Sequence, residues 1–162
     1  MYFKQSDFFS GMEHGFVKDM MTNAERVTYE AGDAIFKEGD QTRHFYILIK
    51  GHVKLRIGRD GHTVFVISNA GECFGWSSLI NRPRYAASAV CAAPTTLMRL
   101  DNADVRETLK KHPESGLIFM ERLAGLIGAR LLLSYQALSS LALLASSPTE
   151  GTGHTMAPLE PA

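Results

Sequence analysis

The chain is 162 residues long, which fits one domain able to bury about two thirds of the surface its unfolded chain exposes. Lys and Arg total 17, Asp and Glu total 17, and the formal net charge is zero, so no global basic field draws nucleic acid or an anionic membrane; any anion site must be local. Two cysteines, Cys73 and Cys91, are too few for a disulfide scaffold, and the start MYFKQSDFF lacks the basic-then-apolar layout of a signal peptide. The expectation is a reduced, cytoplasmic protein.

Phe8, Phe9, Met12, Phe16, Met20 and Met21 recur at three- and four-residue spacings, which predicts one amphipathic helix or two short ones over 5–25. From 26 to 100 the rhythm changes. Short β-branched and aromatic runs, Phe45 to Ile49, Val53 to Ile57, Val64 to Ile67 and Ala87 to Val90, alternate with the turn signals AGD, EGD, KG, RDG and NAG. A turn about every ten residues predicts antiparallel strands of a sandwich, jelly roll or barrel. Asp60-Gly61 between Ile57 and Val64 is the clearest hairpin.

Beyond Leu100 the helical period returns. Asp101 or Asn102 can cap a helix to about Lys111, whose Lys110, Lys111 and His112 complement the negative end of its dipole. Pro113 restarts the chain, and a helical pattern runs from Glu114 to about Leu144. Met120, Ala124, Ile127, Leu131, Ser134, Leu138 and Leu141 form one stripe; Phe119, Leu123, Leu126 and Leu133 form a second beside it. Two stripes exceed what one partner covers, so one face is expected to meet the sheet and the other a second chain, giving a homodimer through 114–144. The alternative is a helix wholly buried in its own monomer. Arg130, Gln136 and several serines interrupt Gly125 to Ala145, which argues against a membrane span. Residues 1–145 are thus expected to be one domain, and 146–162, rich in Ser, Thr, Gly and Pro, a disordered tail.

One stretch carries chemistry: GECFGWSSLINRPRYAASAV, residues 71–90. A strand ends at Phe74-Gly75, a helical turn follows, and small residues lead into the next strand. Gly75 lets backbone approach a ligand, the first N–H groups of a short helix point outward with partial positive charge, and Arg84 can add a bidentate contact. Ser77 and Ser78 offer hydroxyls to an anion, or cap the turn locally. Trp76 either fills a pocket or stacks on a planar ligand. Cys73 and Cys91, in strand-like sequence, are expected to be buried free thiols.

At these residues the chain resembles the cyclic nucleotide-binding domain family, the sensor module of catabolite-activator-type regulators and cyclic-nucleotide-dependent kinases. The likeness extends to AGDAIFKEGD, to FYILIKGHVKL around Gly51, and to the trailing helices. It implies a mainly β (α+β) fold, an antiparallel jelly-roll or double-stranded β-helix barrel flanked by N-terminal and C-terminal helices. It further implies a phosphate-binding cassette at 74–90, with Phe74, Gly75, Trp76, Ser77, Ser78, Arg84, Tyr85 and Ala86 as candidate ligand residues, and a small anionic ligand such as cAMP or cGMP.

Two departures stand out. The family's cassette usually reads phenylalanine-glycine-glutamate, and the glutamate accepts a ribose hydroxyl; here the position is Trp76, which has no acceptor. A charged hydrogen bond is worth about 1.5 to 3 kcal/mol, so its loss weakens a cyclic nucleotide roughly ten- to a hundredfold. The family also places its phosphate arginine two residues before the alanine re-entering the strand. Counting back from Ala87-Ser88 gives Tyr85, with Arg84 one position early. Either Arg84 reaches a phosphate across a shorter loop, or Arg82 or Arg84 faces outward.

The leading expectation is a binding function without catalysis, whose downstream partner the sequence does not name. The 18 residues after 144 hold no winged helix-turn-helix, so no DNA-reading element is expected. The competing expectation is a degenerate member that binds no nucleotide and serves as a dimerisation or docking module. A metal-dependent enzyme on a similar barrel would need clustered histidines, and His14, His44, His52, His62, His112 and His154 include no H-x-H pair; there is no P-loop or nucleophile elbow.

Overall fold

The computed structural model describes residues 8–146. Phe8 to Gly11 form a turn, and helix α1 spans His14–Thr22. The lead expected to be helical over 5–25 is therefore shorter, because Gly11 takes a left-handed conformation (φ 78°) that ends any helical run, and the chain is already extended at Glu25; residues 5–7 lie outside the described residues. Strands follow at β1 (Glu25–Tyr29), β2 (Ala34–Phe36), β3 (His44–Lys50), β4 (Val53–Ile57), β5 (His62–Ile67) and β6 (Cys73–Phe74). A 3-10 helix spans Trp76–Ile80, β7 is Ser88–Cys91, and β8 is Thr95–Asp101. Helices α2 (Asn102–Lys111) and α3 (Pro113–Ala145) complete the described chain.

The turn signals act through identifiable atoms. In AGD and EGD the aspartates accept from the backbone, Asp33 from the N–H of Glu30 at 2.8 Å and Asp40 from that of Lys37 at 2.9 Å, the local bonding that makes Asp a turn residue. Gly51 joins β3 to β4 with φ 116°, and a Cβ there would stand 2.5 Å from Thr95 Oγ1 and 2.7 Å from the Pro94 carbonyl. No other residue fits that close approach.

The strands pair antiparallel in two sheets ordered β1-β8-β3-β6 and β2-β7-β4-β5, a jelly roll with flanking helices, as the sequence leads one to expect. Central strand β3 buries Phe45, Tyr46, Ile47 and Leu48 in succession, because one of its faces meets the barrel interior and the other the helices. Edge strand β5 instead alternates, with Phe65 and Ile67 turned inward and Val64 and Val66 exposed, the period of a half-buried strand. Between the sheets lie Phe36, Tyr46, Leu48, Val53, Phe74, Tyr85 and Leu97.

The helices seat on the first sheet through aromatic rings. Phe119 of α3 meets Phe8 edge-on at 5.1 Å, Phe45 of β3 at 5.9 Å and Phe16 of α1 at 6.2 Å, a favoured geometry for ring quadrupoles. Asp101 caps α2 by accepting from the Ala103 N–H at 2.9 Å. The α2–α3 corner is held by charge: Asp19 of α1 takes His112 Nε2 at 2.8 Å and Lys111 Nζ at 2.6 Å. The His112 bond, with that of Lys111, lowers the Asp19 carboxyl from 3.8 to about 2.

The chain divides into two compact units inside α3, one reaching Leu126 and one beginning at Ile127. In the first, Phe119 and Leu123 of the second stripe are buried. In the second, Leu131, Leu138 and Leu141 of the first stripe are exposed, together with Leu132, Leu133 and Leu144. No helix among the described residues is long and apolar enough to cross a membrane. Residues 147–162, expected to be a tail, lie outside the described residues.

Candidate functional site

The segment singled out by its sequence leaves the barrel at β6. Phe74 pairs with Tyr46 in the ladder and is fully buried, its ring stacked on that of Tyr46 at 5.2 Å and 12°. Gly75 then turns the chain with φ 76°; a Cβ there would come within 2.9 Å of the His44 carbonyl and of the Tyr46 ring. Only glycine permits both the left-handed backbone and this contact, so Gly75 fixes where the 3-10 helix begins.

Within that helix Ser77 and Leu79 are buried, Trp76 and Ser78 are half-buried, and Ile80 is exposed. The first N–H groups of such a turn have no partner inside it. At the far end Asn81 is itself left-handed (φ 61°), and its N–H donates to the carbonyls of Ser77 and Ser78. Arg106 of α2 reaches over to this end. Its Nη2 donates to the Ser78 carbonyl and, at 2.9 Å, to Asn81 Oδ1.

The chain returns along residues 39–42. Thr42 donates its N–H to the Pro83 carbonyl at 3.0 Å and its hydroxyl to the Arg82 carbonyl at 2.8 Å. Gln41 and Arg84 form a β-bridge, and Tyr85 donates to Asp40 and accepts from Gly39, both at 2.9 Å. Arg82 and Arg84 are both exposed. Arg84 Nη1 donates to the Gly39 carbonyl at 2.8 Å, which uses one of five guanidinium donors. Tyr85 points into the core, stacked on Phe36, with its hydroxyl spent on the His44 backbone; burial raises its pKa. Ala86 is exposed and Ala87 half-buried.

Of the sequence-predicted site residues, Gly75, Trp76, Ser78, Arg84 and Ala86 thus keep some exposure on this turn, whereas Phe74, Ser77 and Tyr85 are buried beneath it. Three features escape a reading of the sequence: the lacing of 82–85 to 39–42, the Tyr85 strut to His44, and the Arg106 contact. Each joins residues tens of positions apart, and no local motif signals such pairings. Cys73 and Cys91 are buried, and neither is in a disulfide. Among the described residues no group of three or more His, Cys, Asp or Glu is arranged to hold a metal ion.

The pattern that defines the Cyclic nucleotide-binding domain family matches residues 26–112, more than half of the chain. The human cyclic nucleotide-gated channel beta-3 is 32% identical over 134 residues, covering 81% of this chain but only 16% of the channel's length. Among solved structures, a protein of Geobacter metallireducens GS-15 named for cyclic nucleotide binding superposes with a TM-score of 0.69 at 28% identity, covering 78% of this chain and 92% of that one. The Thermus thermophilus catabolite activator protein gives a TM-score of 0.67 at 28% identity, covering 83% of this chain and 62% of its own. The jelly roll, the glycine-led turn after β6 and these matches agree: the chain belongs to the cyclic nucleotide-binding domain family.

Proposed function

We propose that the turn 74–86 grips the negative group of a small cyclic-nucleotide-type ligand and that the domain is a cytoplasmic, non-catalytic regulatory module. The observation that carries this reading is Gly75, whose left-handed backbone, fitted against His44 and Tyr46, opens the 3-10 helix with its first N–H groups unpaired within the turn. Arg84 is held on the return limb by an isolated bridge to Gln41, ahead of β7, which supports its choice over Arg82 as the charged group. Arg84 would then supply the charged contact and Ala86 a close backbone approach, with the backbone N–H groups of the 3-10 turn beside them, and Phe74, Ser77 and Tyr85 supporting the turn from below. Occupancy would bias the position of α2 and α3, and the exposed leucines of α3 fit a second copy of this chain across 114–144.

Trp76 is the only tryptophan, so its emission reports the site directly. Titration with cAMP and with cGMP should give a saturable change. Arg84→Ala should weaken it at least tenfold while leaving the unfolding midpoint unchanged. A specific observation also favours a second reading, a dimerisation or docking module: Trp76, half-buried, stands where the family carries a ribose acceptor. No emission change and no heat with either nucleotide would select it.

A further inference from the structure

Arg106 has no place in the sequence motif, yet it is the residue of α2 that bonds to the turn's C-terminal end. One guanidinium nitrogen meets two acceptors there, the Ser78 carbonyl and Asn81 Oδ1. Asn81 is the one non-glycine residue with positive φ among those described. Asparagine tolerates that conformation better than most residues, and here its side chain has a use that a glycine could not supply. Its N–H closes the turn on Ser77 and Ser78, and the N–H of Arg82 closes on Ser77 as well. Arg106 therefore holds the residue on which the geometry of the whole 3-10 helix converges.

Both sides of this contact carry unsatisfied polar groups. The Ser78 hydroxyl oxygen is buried with no hydrogen-bond partner among the described residues. On α2, Asn102 lies one turn before Arg106 and so on the same face; it is 6% exposed, and both polar atoms of its amide are buried without partners. A buried polar atom without a hydrogen-bond partner carries a desolvation cost. The Arg106 guanidinium supplies two hydrogen bonds across this seam.

We propose that Arg106 is a positioning residue of the ligand site, which sets the shape of the turn 76–82 and couples it to α2. The proposal rests on the reading that this turn is the ligand site. Any movement of the turn on occupancy must then strain or break the Arg106 bonds, and α2 must register it. By linkage, loosening α2 at this point must loosen the turn to the same degree.

Hydrogen exchange on the ligand-free full chain tests this. Arg106→Gln should speed exchange at the amides of 77–82 by about tenfold or more, with β3 and β8 unchanged; Arg106→Lys, which keeps the charge but not the fork, should restore part of the protection. Asn81→Gly keeps the left-handed backbone and removes the side-chain acceptor, and it should speed exchange in α2 over 103–108. Combining Arg106→Gln with Asn81→Gly should add little to either alone, since both remove one interaction. Unchanged exchange at 77–82, equal acceleration in β3 and β8, or fully additive effects would overturn the proposal. Millimolar cAMP added to the wild type is a separate arm. No response there counts against cyclic-nucleotide binding, while the ligand-free comparison still decides the role of Arg106.

Discussion

The ring of Tyr85 lies flat on that of Phe36, centroids 3.8 Å apart and planes 12° from parallel, while its hydroxyl donates to the His44 carbonyl at 2.8 Å and accepts from the His44 N–H at 3.1 Å. One side chain thus ties the segment that follows the 3-10 helix to β3, the strand paired with the β6 from which Gly75 departs. Tyr85→Phe keeps the stack and strands two backbone groups, so urea unfolding should show a loss of about 1 to 3 kcal/mol. Burial raises the Tyr85 pKa above 10.0. A raised pKa means stability that is full below the unfolded value and lost as pH rises through the folded one. The wild type should therefore weaken above pH 10, and Tyr85→Phe should weaken less steeply there.

The acid side belongs to Asp19. Its pKa is depressed from 3.8 to about 2 by His112 and Lys111, so its contribution is present above the unfolded value and is lost as pH falls toward 2. Unfolding midpoints between pH 4 and pH 2 should fall less steeply in Asp19→Asn than in the wild type. An unaltered slope would mean that the corner where α1 meets α2 and α3 does not depend on this carboxylate.

In the turn after β6, Trp76→Glu places an acceptor at the position where the family resemblance calls for one. Cyclic-nucleotide affinity should rise roughly ten- to a hundredfold, the worth of a charged hydrogen bond to a hydroxyl. Because this change removes the only tryptophan, calorimetry is the measurement. No gain would show that the site differs from its relatives at more than one residue.

Leu138 and Leu141 lie one helical turn apart on α3 and are 63% and 61% exposed. An apolar stripe of that kind fits a paired helix better than a solvated one. Sedimentation should find a dimer at micromolar concentration, with Leu138→Arg shifting it to monomer and leaving the barrel's thermal transition in place. A monomeric wild type would remove the second copy from the reading.

Which parts could be read from sequence follows from the range of the forces involved. The turns at Asp33, Asp40 and Gly51, the cap at Asp101 and the restart at Pro113 are decided within a few residues, and each was visible as a local signal. The stripe through Phe119 and Leu123 was visible as a period. The burial of Tyr85 was not, because a tyrosine among small residues carries no mark of the His44 backbone awaiting it 41 positions earlier. The bridge between Gln41 and Arg84 is equally silent in the sequence, since only the fold brings those two residues together.

Among the described residues strand β1 pairs with β8 alone, where Glu25 stands opposite Arg99. During synthesis the first strand must wait unpaired until almost the whole barrel has left the ribosome. Closures over such long stretches of chain make for slow folding, on the order of milliseconds to seconds, and the waiting segment is open to chaperones or to pairing with a neighbouring nascent chain.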